Sequence, residues 1–129
     1  MKRREVLGGL IAAGLMPVGA SAATKRQLLM VVQRGCVFCA AWRREVGPGY
    51  SDHPIGRKLP LLEVDIDGPW PNGLVLARSP QVTPTFILLN GGVELGRIEG
   101  YPGADDFWTE LGGLAKGSRR HPDAATRLR

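Results

Sequence analysis

Cys36 and Cys39 are the only cysteines among 129 residues, and they stand together as Cys36-Val37-Phe38-Cys39. On a helix, a spacing of three puts both side chains on one face, with Cβ atoms roughly 5–6 Å apart. A small backbone adjustment closes that gap to a disulfide. The chemistry on offer is reversible thiol–disulfide exchange. A free cysteine has a pKa near 8.5, so only about 3% is thiolate at pH 7, but a helix N-terminus or a Cys-x-x-Cys motif lowers the value to ~7 or below. Cys36, at the start of the helix, is therefore the candidate nucleophile. Cys39, one turn inside, is the candidate resolving thiol, which attacks the mixed disulfide and releases the partner.

Two other uses compete for this motif. A structural disulfide here closes a loop of only four residues, so its entropic gain is small. Metal-binding copper chaperones also use Cys-x-x-Cys, but Arg34 stands where they carry Met. A zinc site needs two more ligands, and His53 and His121 are isolated and read as solvent-exposed. The redox reading is favoured, with no metal and no cofactor beyond the Cys36–Cys39 pair itself. No Gly-rich phosphate loop with a following Lys-Ser/Thr is present.

A second motif, Val82-Thr83-Pro84-Thr85, precedes a strand-like run. A proline there is not a mid-strand residue. A cis Thr83–Pro84 bond turns the chain sharply and presents the Thr83 backbone as an edge for an extended substrate. A trans proline at a strand start fits the sequence equally well. Thr83, Pro84, Val37 and Phe38 are the candidate substrate-binding residues. Trp70, between Pro69 and Pro71, reads as loop filler rather than a partner surface.

The elements that must position these residues follow from periodicity. Gln27–Gln33 is a short apolar run and fits a buried strand. From Cys36 to Val46, Phe38, Trp42 and Val46 recur at helical spacing until Gly47-Pro48-Gly49 stops the helix. Tyr50–Lys58 reads as a loop with a helical turn, and Leu59–Ile66 as a second buried strand. Asp67–Gln81 is rich in Gly and Pro, with a short helix expected at Leu74–Arg78. Thr85–Asn90 is a third strand, and Gly91-Gly92 a two-residue turn into Val93–Glu99. Gly96 suggests a bulge in that last strand. Gly100-Tyr101-Pro102-Gly103 is a turn, and Ala104–Leu114 a helix with acids in its first turn. The strand–helix–strand unit implies parallel pairing, and the hairpin adds an antiparallel pair. The expected architecture is α/β, a mixed central sheet with helices on both faces.

The chain length allows one domain. Apolar content of 43% and charge of 22% exclude wholesale disorder and fibrous repeats. The net charge of +5 suggests nucleic acid only if it is spread over the folded domain. It is not: Met1–Ala22 carries +2, Ala23–Ala115 carries −1 and Lys116–Arg129 carries +4. No nucleic-acid partner is expected. Residues 1–22 have the pattern of an export signal: Lys2, Arg3 and Arg4, then an apolar run, then Ala20-Ser21-Ala22. The run is too short and too broken by glycine to suit a spanning helix, which needs ~20 apolar residues. Arg3-Arg4-Glu5-Val6-Leu7 resembles a twin-arginine motif, so the twin-arginine and general secretory routes both stay open. Residues 23–115 then form the working domain in the periplasm, and 116–129 a basic flexible tail.

Cys36–Cys39 at a strand–helix junction, Thr83-Pro84 further on, Gly91-Gly92, and Gly100-Tyr101-Pro102-Gly103 before a final helix together resemble the thioredoxin family over about Gln27–Leu114. The resemblance implies a thioredoxin-like fold and thiol–disulfide oxidoreductase activity. It also implies Cys36 as nucleophile, Cys39 as resolving cysteine and Pro84 as a cis-proline beside them. The exported form is similar to periplasmic thioredoxin-like proteins, including those found with bacterial sulfur-oxidation systems. Several positions depart from the family pattern. Gly35 replaces the usual Trp, Val37-Phe38 replaces Gly-Pro, and Met30 replaces a buried acid, leaving water, Glu63 or Asp65 as stand-ins. Thr before the proline is more like periplasmic disulfide isomerases. These departures favour a dedicated periplasmic reductase of a partner protein with a reactive cysteine or cysteine adduct, and a monomer is expected. Its electrons would come from a membrane thiol transporter of the DsbD or CcdA type. The alternatives are a disulfide oxidase or isomerase, or a non-enzymatic thioredoxin-fold binding protein.

Overall fold

A computed structural model describes residues 25–117. The expected export signal and residues 118–129 of the expected tail lie outside them. The first two residues of that tail, Lys116 and Gly117, instead finish the last helix.

The apolar run before the cysteines forms β1, Arg26–Val32. It is followed by α1, Val37–Glu45. Gly47–Asp52 then makes a 3-10 helix, and Pro54–Arg57 the short α2, with Pro54 in its first turn. His53 is half-buried rather than exposed. Its Nδ1 accepts a hydrogen bond from the Ile55 N–H at 3.1 Å, and its ring stacks on Trp108 at 3.6 Å. It is a helix cap. The remaining elements are β2, Leu61–Asp65; β3, Thr85–Asn90; β4, Val93–Glu99; and α3, Ala104–Gly117.

The four strands lie in the order β2-β1-β3-β4. β1 pairs with β2 in parallel and with β3 antiparallel, as the crossover and hairpin require. Gly91 and Gly92 have φ of 61° and 87°, the left-handed geometry that a tight two-residue turn demands. A side chain at Gly92 would also collide with the Gly73 carbonyl. Leu88 pairs with Gly96 but Leu89 with Glu94, so Leu95 is the extra residue of the expected bulge.

The sheet divides the core in two. Leu28 and Met30 of β1, with Phe86 and Leu88 of β3, meet Cys39 and Trp42 of α1, Tyr50, and Phe107 and Leu111 of α3. Leu29, Val31, Ile87 and Leu89 face the other way, toward Ile66, Trp70, Leu74 and Leu76. The expectation of helices on both faces is therefore corrected. Among the described residues the helices share one face, and the segment after β2 covers the other. Leu74–Arg78 is extended, not helical. Leu74 and Leu76 are half-buried while Val75 and Ala77 are exposed, a period of two. Flanking Pro71, Gly73 and Pro80 disfavour a helix there, and Val75 makes a parallel bridge to Val93 on the sheet edge. Trp70 fills the second core and donates its Nε1 to the Ile66 carbonyl at 3.3 Å.

That covering segment is tied to β4 by a buried ion pair. Arg97 Nε donates to Glu94 Oε2 at 2.8 Å, and both side chains are only 6% exposed. Burial alone would raise the Glu94 carboxyl. The Arg97 hydrogen bond, the Ala77 N–H and the charges of Arg97 and Arg78 outweigh it and hold the group below its ordinary value. A carboxyl with a depressed folded pKa stabilises above the unfolded value of 4.5, and that contribution is lost as pH falls through the folded pKa. Glu94→Gln is expected to flatten the acid limb of the stability curve below that value. Urea titrations of both proteins at neutral and acid pH measure it.

Candidate active site

Cys36 caps α1. Its φ and ψ of −78° and 108° are extended, and its Sγ accepts a hydrogen bond from the Cys39 N–H at 3.0 Å. The first turn of α1 contains no acidic residue, and Arg43 and Arg44 occupy the last. The helix dipole and the free N–H groups therefore favour negative charge on Cys36, with no carboxylate in that turn opposing it. Cys36 is half-buried, whereas Cys39 is fully buried. The two are joined in a disulfide with Cα atoms 5.2 Å apart, so the structure holds the oxidised form.

The buried stripe of α1 runs through Cys39, Trp42 and Val46. Phe38, which the periodicity put with Trp42 and Val46, is instead 60% exposed. The stripe starts from Cys39, which joins Met30 and Phe86 in the first core, whereas Phe38 does not. Val37 is also exposed. Both residues between the cysteines thus stand out from the surface.

The Thr83–Pro84 peptide bond is cis, as is Gly68–Pro69. The register pairs Val31 with Thr85, which sets Pro84 at the end of β3 beside the Val32–Cys36 connection. Thr83 is half-buried, Pro84 is buried, and Val82 is exposed. A cleft of about 570 Å³ reaches Cys36 from the opposite flank, lined by Gln33, Arg34, Gly35, Val37, Arg43 and Asp65 among others. Thr83 and Pro84 lie outside that lining.

Neither acid weighed as a stand-in for Met30 is buried under Cys39. Glu63 neighbours Met30 in the parallel register, but its carboxylate pairs with Arg43 at 3.0 Å and is 40% exposed. Asp65 accepts a hydrogen bond from the Asp67 N–H at 2.8 Å and is exposed. Thr85 is the only fully buried polar residue among those described, and its hydroxyl donates to the Val82 carbonyl at 2.7 Å.

Two ties at the site had no signal in the sequence. The Gly100 N–H donates to the Pro84 carbonyl at 2.8 Å. The Tyr101 hydroxyl donates to Glu45 Oε1 at 2.6 Å, joining the turn before α3 to the end of α1. These partners lie 56 residues apart. Burial, the hydrogen bond to Glu45, and the charges of Glu45 and Asp105 push the Tyr101 phenol up to about 12. Its contribution is complete below the unfolded value of 10.0 and fades as pH rises through about 12. Tyr101→Phe is expected to cost about 1 kcal/mol. Denaturant titrations should find that cost unchanged from neutral pH to pH 10.0 and shrinking above it.

A half-buried cysteine capping a helix, a buried partner one turn on, and a proline at the adjoining strand end of a β2-β1-β3-β4 sheet define a thiol–disulfide oxidoreductase of the thioredoxin fold. The comparison with solved structures agrees. The chain is 47% identical to the periplasmic thioredoxin SoxS from Paracoccus pantotrophus, covering 69% of this chain and 94% of that one, with a TM-score of 0.68. It also superposes on a thioredoxin-fold protein from Helicobacter pylori, at 16% identity and a TM-score of 0.59, covering 75% of this chain and 73% of that one. The second likeness speaks for the fold alone. No protein-family model matches this sequence, and neither does any curated protein. The chain belongs to the thioredoxin family.

Proposed function

We propose that this chain is a periplasmic reductase dedicated to disulfides or cysteine adducts of particular partner proteins. The observation that carries the reading is the asymmetry of the pair. Cys36 meets solvent at a helix N-terminus, and Cys39 is sealed beneath it. In the reduced state the Cys36 thiolate attacks one sulfur of the partner's disulfide. A mixed disulfide forms, and the partner's other sulfur leaves as thiolate. Cys39 then attacks Cys36 Sγ, the second partner thiol departs, and the Cys36–Cys39 disulfide remains. Two electrons pass to the partner. A dithiol donor must return them, and a membrane thiol transporter of the DsbD or CcdA type fits that need. No cofactor other than the cysteine pair enters this cycle.

Val37, Phe38 and Val82 are three of the large apolar side chains that stay exposed, at 72%, 60% and 46%. Together with the Thr83 backbone they suit an extended, partly apolar partner segment bearing the target cysteine. Likeness to a periplasmic thioredoxin supports the compartment, as does the export pattern of residues 1–22. A place beside sulfur-oxidation systems is part of the same proposal and rests on the resemblance of the sequence motifs. The protein is read as a monomer. A reduction potential near −270 mV is expected, and a value near −120 mV would make the chain an oxidant instead. Equilibration with glutathione or dithiothreitol buffers measures it.

A further inference from the structure

We propose that Arg97, Glu94, Arg78 and Glu99 form a clamp that positions the partner-facing loop Ser79–Pro84, so that Arg97 and Arg78 are specificity-determining positioning residues. This rests on the reading that Val82, Thr83 and Pro84 contact the partner. The clamp is built in two tiers. In the inner tier the buried Arg97–Glu94 pair grips backbone. Glu94 Oε1 accepts the Ala77 N–H at 2.8 Å, and Arg97 Nη2 donates to the Arg78 carbonyl at 2.7 Å. The same Nη2 reaches Glu94 Oε1 at 2.8 Å. In the outer tier Arg78 Nη2 donates to Glu99 Oε2 at 2.8 Å, and Arg97 Nη1 stands 3.6 Å from that oxygen.

Glu99 is the shared post. It closes on Arg78 at the start of the loop, and in the β3–β4 ladder it pairs with Thr85 just past the loop's end. Gly100, next in sequence, holds the Pro84 carbonyl. Both ends of the segment are thus fastened to one point on β4, and between them the Thr85 hydroxyl holds the Val82 carbonyl. An exposed ion pair alone contributes little. The buried Arg97–Glu94 pair instead selects one arrangement, because a displaced loop would take the Ala77 N–H and the Arg78 carbonyl away from groups that water reaches poorly. Fixing the loop in advance spares the partner the cost of ordering it. None of these four residues is within the Cys36 cleft lining, so the clamp acts on recognition and not on the thiols.

The test compares a protein disulfide (insulin) with a small one (hydroxyethyl disulfide). Arg97→Met keeps the aliphatic stem and removes the grip on Arg78. Arg78→Gln removes the outer tie alone. With insulin, Arg97→Met is expected to raise KM about tenfold with little change in kcat, and Arg78→Gln to do so less. With hydroxyethyl disulfide both variants should stay within about twofold of wild type, and Arg78→Lys should restore much of the insulin KM. If Arg97→Met does not fold, hydrogen exchange in Arg78→Gln decides. The Ala77 and Gly100 amides, which donate to Glu94 and to the Pro84 carbonyl, should exchange at least about fivefold faster than in wild type. Equal losses on both disulfides, or unchanged KM together with unchanged exchange, would overturn the clamp. A wild-type protein that reduces neither disulfide would sink the proposed function itself.

Discussion

Cys36→Ser will abolish disulfide reduction, by about three orders of magnitude or more. The size of the loss follows from the geometry. Cys39 is fully buried and cannot meet a protein disulfide, so no second sulfur can take over the attack. A hydroxyl in place of Cys36 Sγ keeps the helix cap, accepting the Cys39 N–H as sulfur does now. Fold stability is therefore expected to change little while activity disappears. Turnover of insulin with dithiothreitol, alongside a urea titration, separates the two. Retention of more than a few per cent of activity would remove Cys36 from its role as nucleophile.

Trp42→Ala is expected to be the most damaging single change to the fold, costing about 3–5 kcal/mol. Trp42 lies one turn after Cys39, fully buried between the sheet and α3. Its ring meets Tyr50 at 5.9 Å, Phe86 at 5.7 Å and Phe107 at 5.9 Å. That cluster fixes α1 on the sheet and so fixes Cys39 under Cys36. Against a typical total stability of about 5–15 kcal/mol, the loss would leave the domain marginal. Trp42→Phe makes a sharper comparison. The indole Nε1 is buried without a hydrogen-bond partner among the described residues, and such a group carries a penalty of about 1–3 kcal/mol. Phe loses ring volume but also sheds that penalty, so its net cost should stay within about 1 kcal/mol. Urea midpoints of the two variants test the pair. An Ala variant as stable as the Phe variant would show that the cluster does not hold α1.

Much of this architecture was legible because it is local. The four strands, the helix after Cys36 and the final helix each announce themselves within a dozen residues, through apolar runs, Gly-Pro-Gly after Val46, or Gly91-Gly92. Both cysteines and the Thr83-Pro84 step were legible for the same reason. What misled was the setting of an element. Leu74–Arg78 has the composition of a short helix, yet its burial alternates because it lies along the edge of β4. Phe38 has helical spacing with Trp42, but Cys39 takes the buried position. The helices' shared face was hidden because a Gly- and Pro-rich connection, rather than a helix, covers the second core. Ties such as Tyr101 to Glu45, or Arg97 to the Arg78 carbonyl, join residues far apart in sequence and leave no periodic trace.

The most direct test of dedicated reduction through Cys36 is the Cys39→Ser trap, made in the full-length protein and recovered from periplasm. With Cys39 absent, the second half of the cycle cannot run, and the partner should stay on Cys36 as a reducible mixed disulfide. Non-reducing gels and mass spectrometry should find one or a few exported proteins attached at Cys36, and none when Cys36 is also replaced by Ser. A Cys39→Ser protein carrying no partner at Cys36 would contradict the central claim.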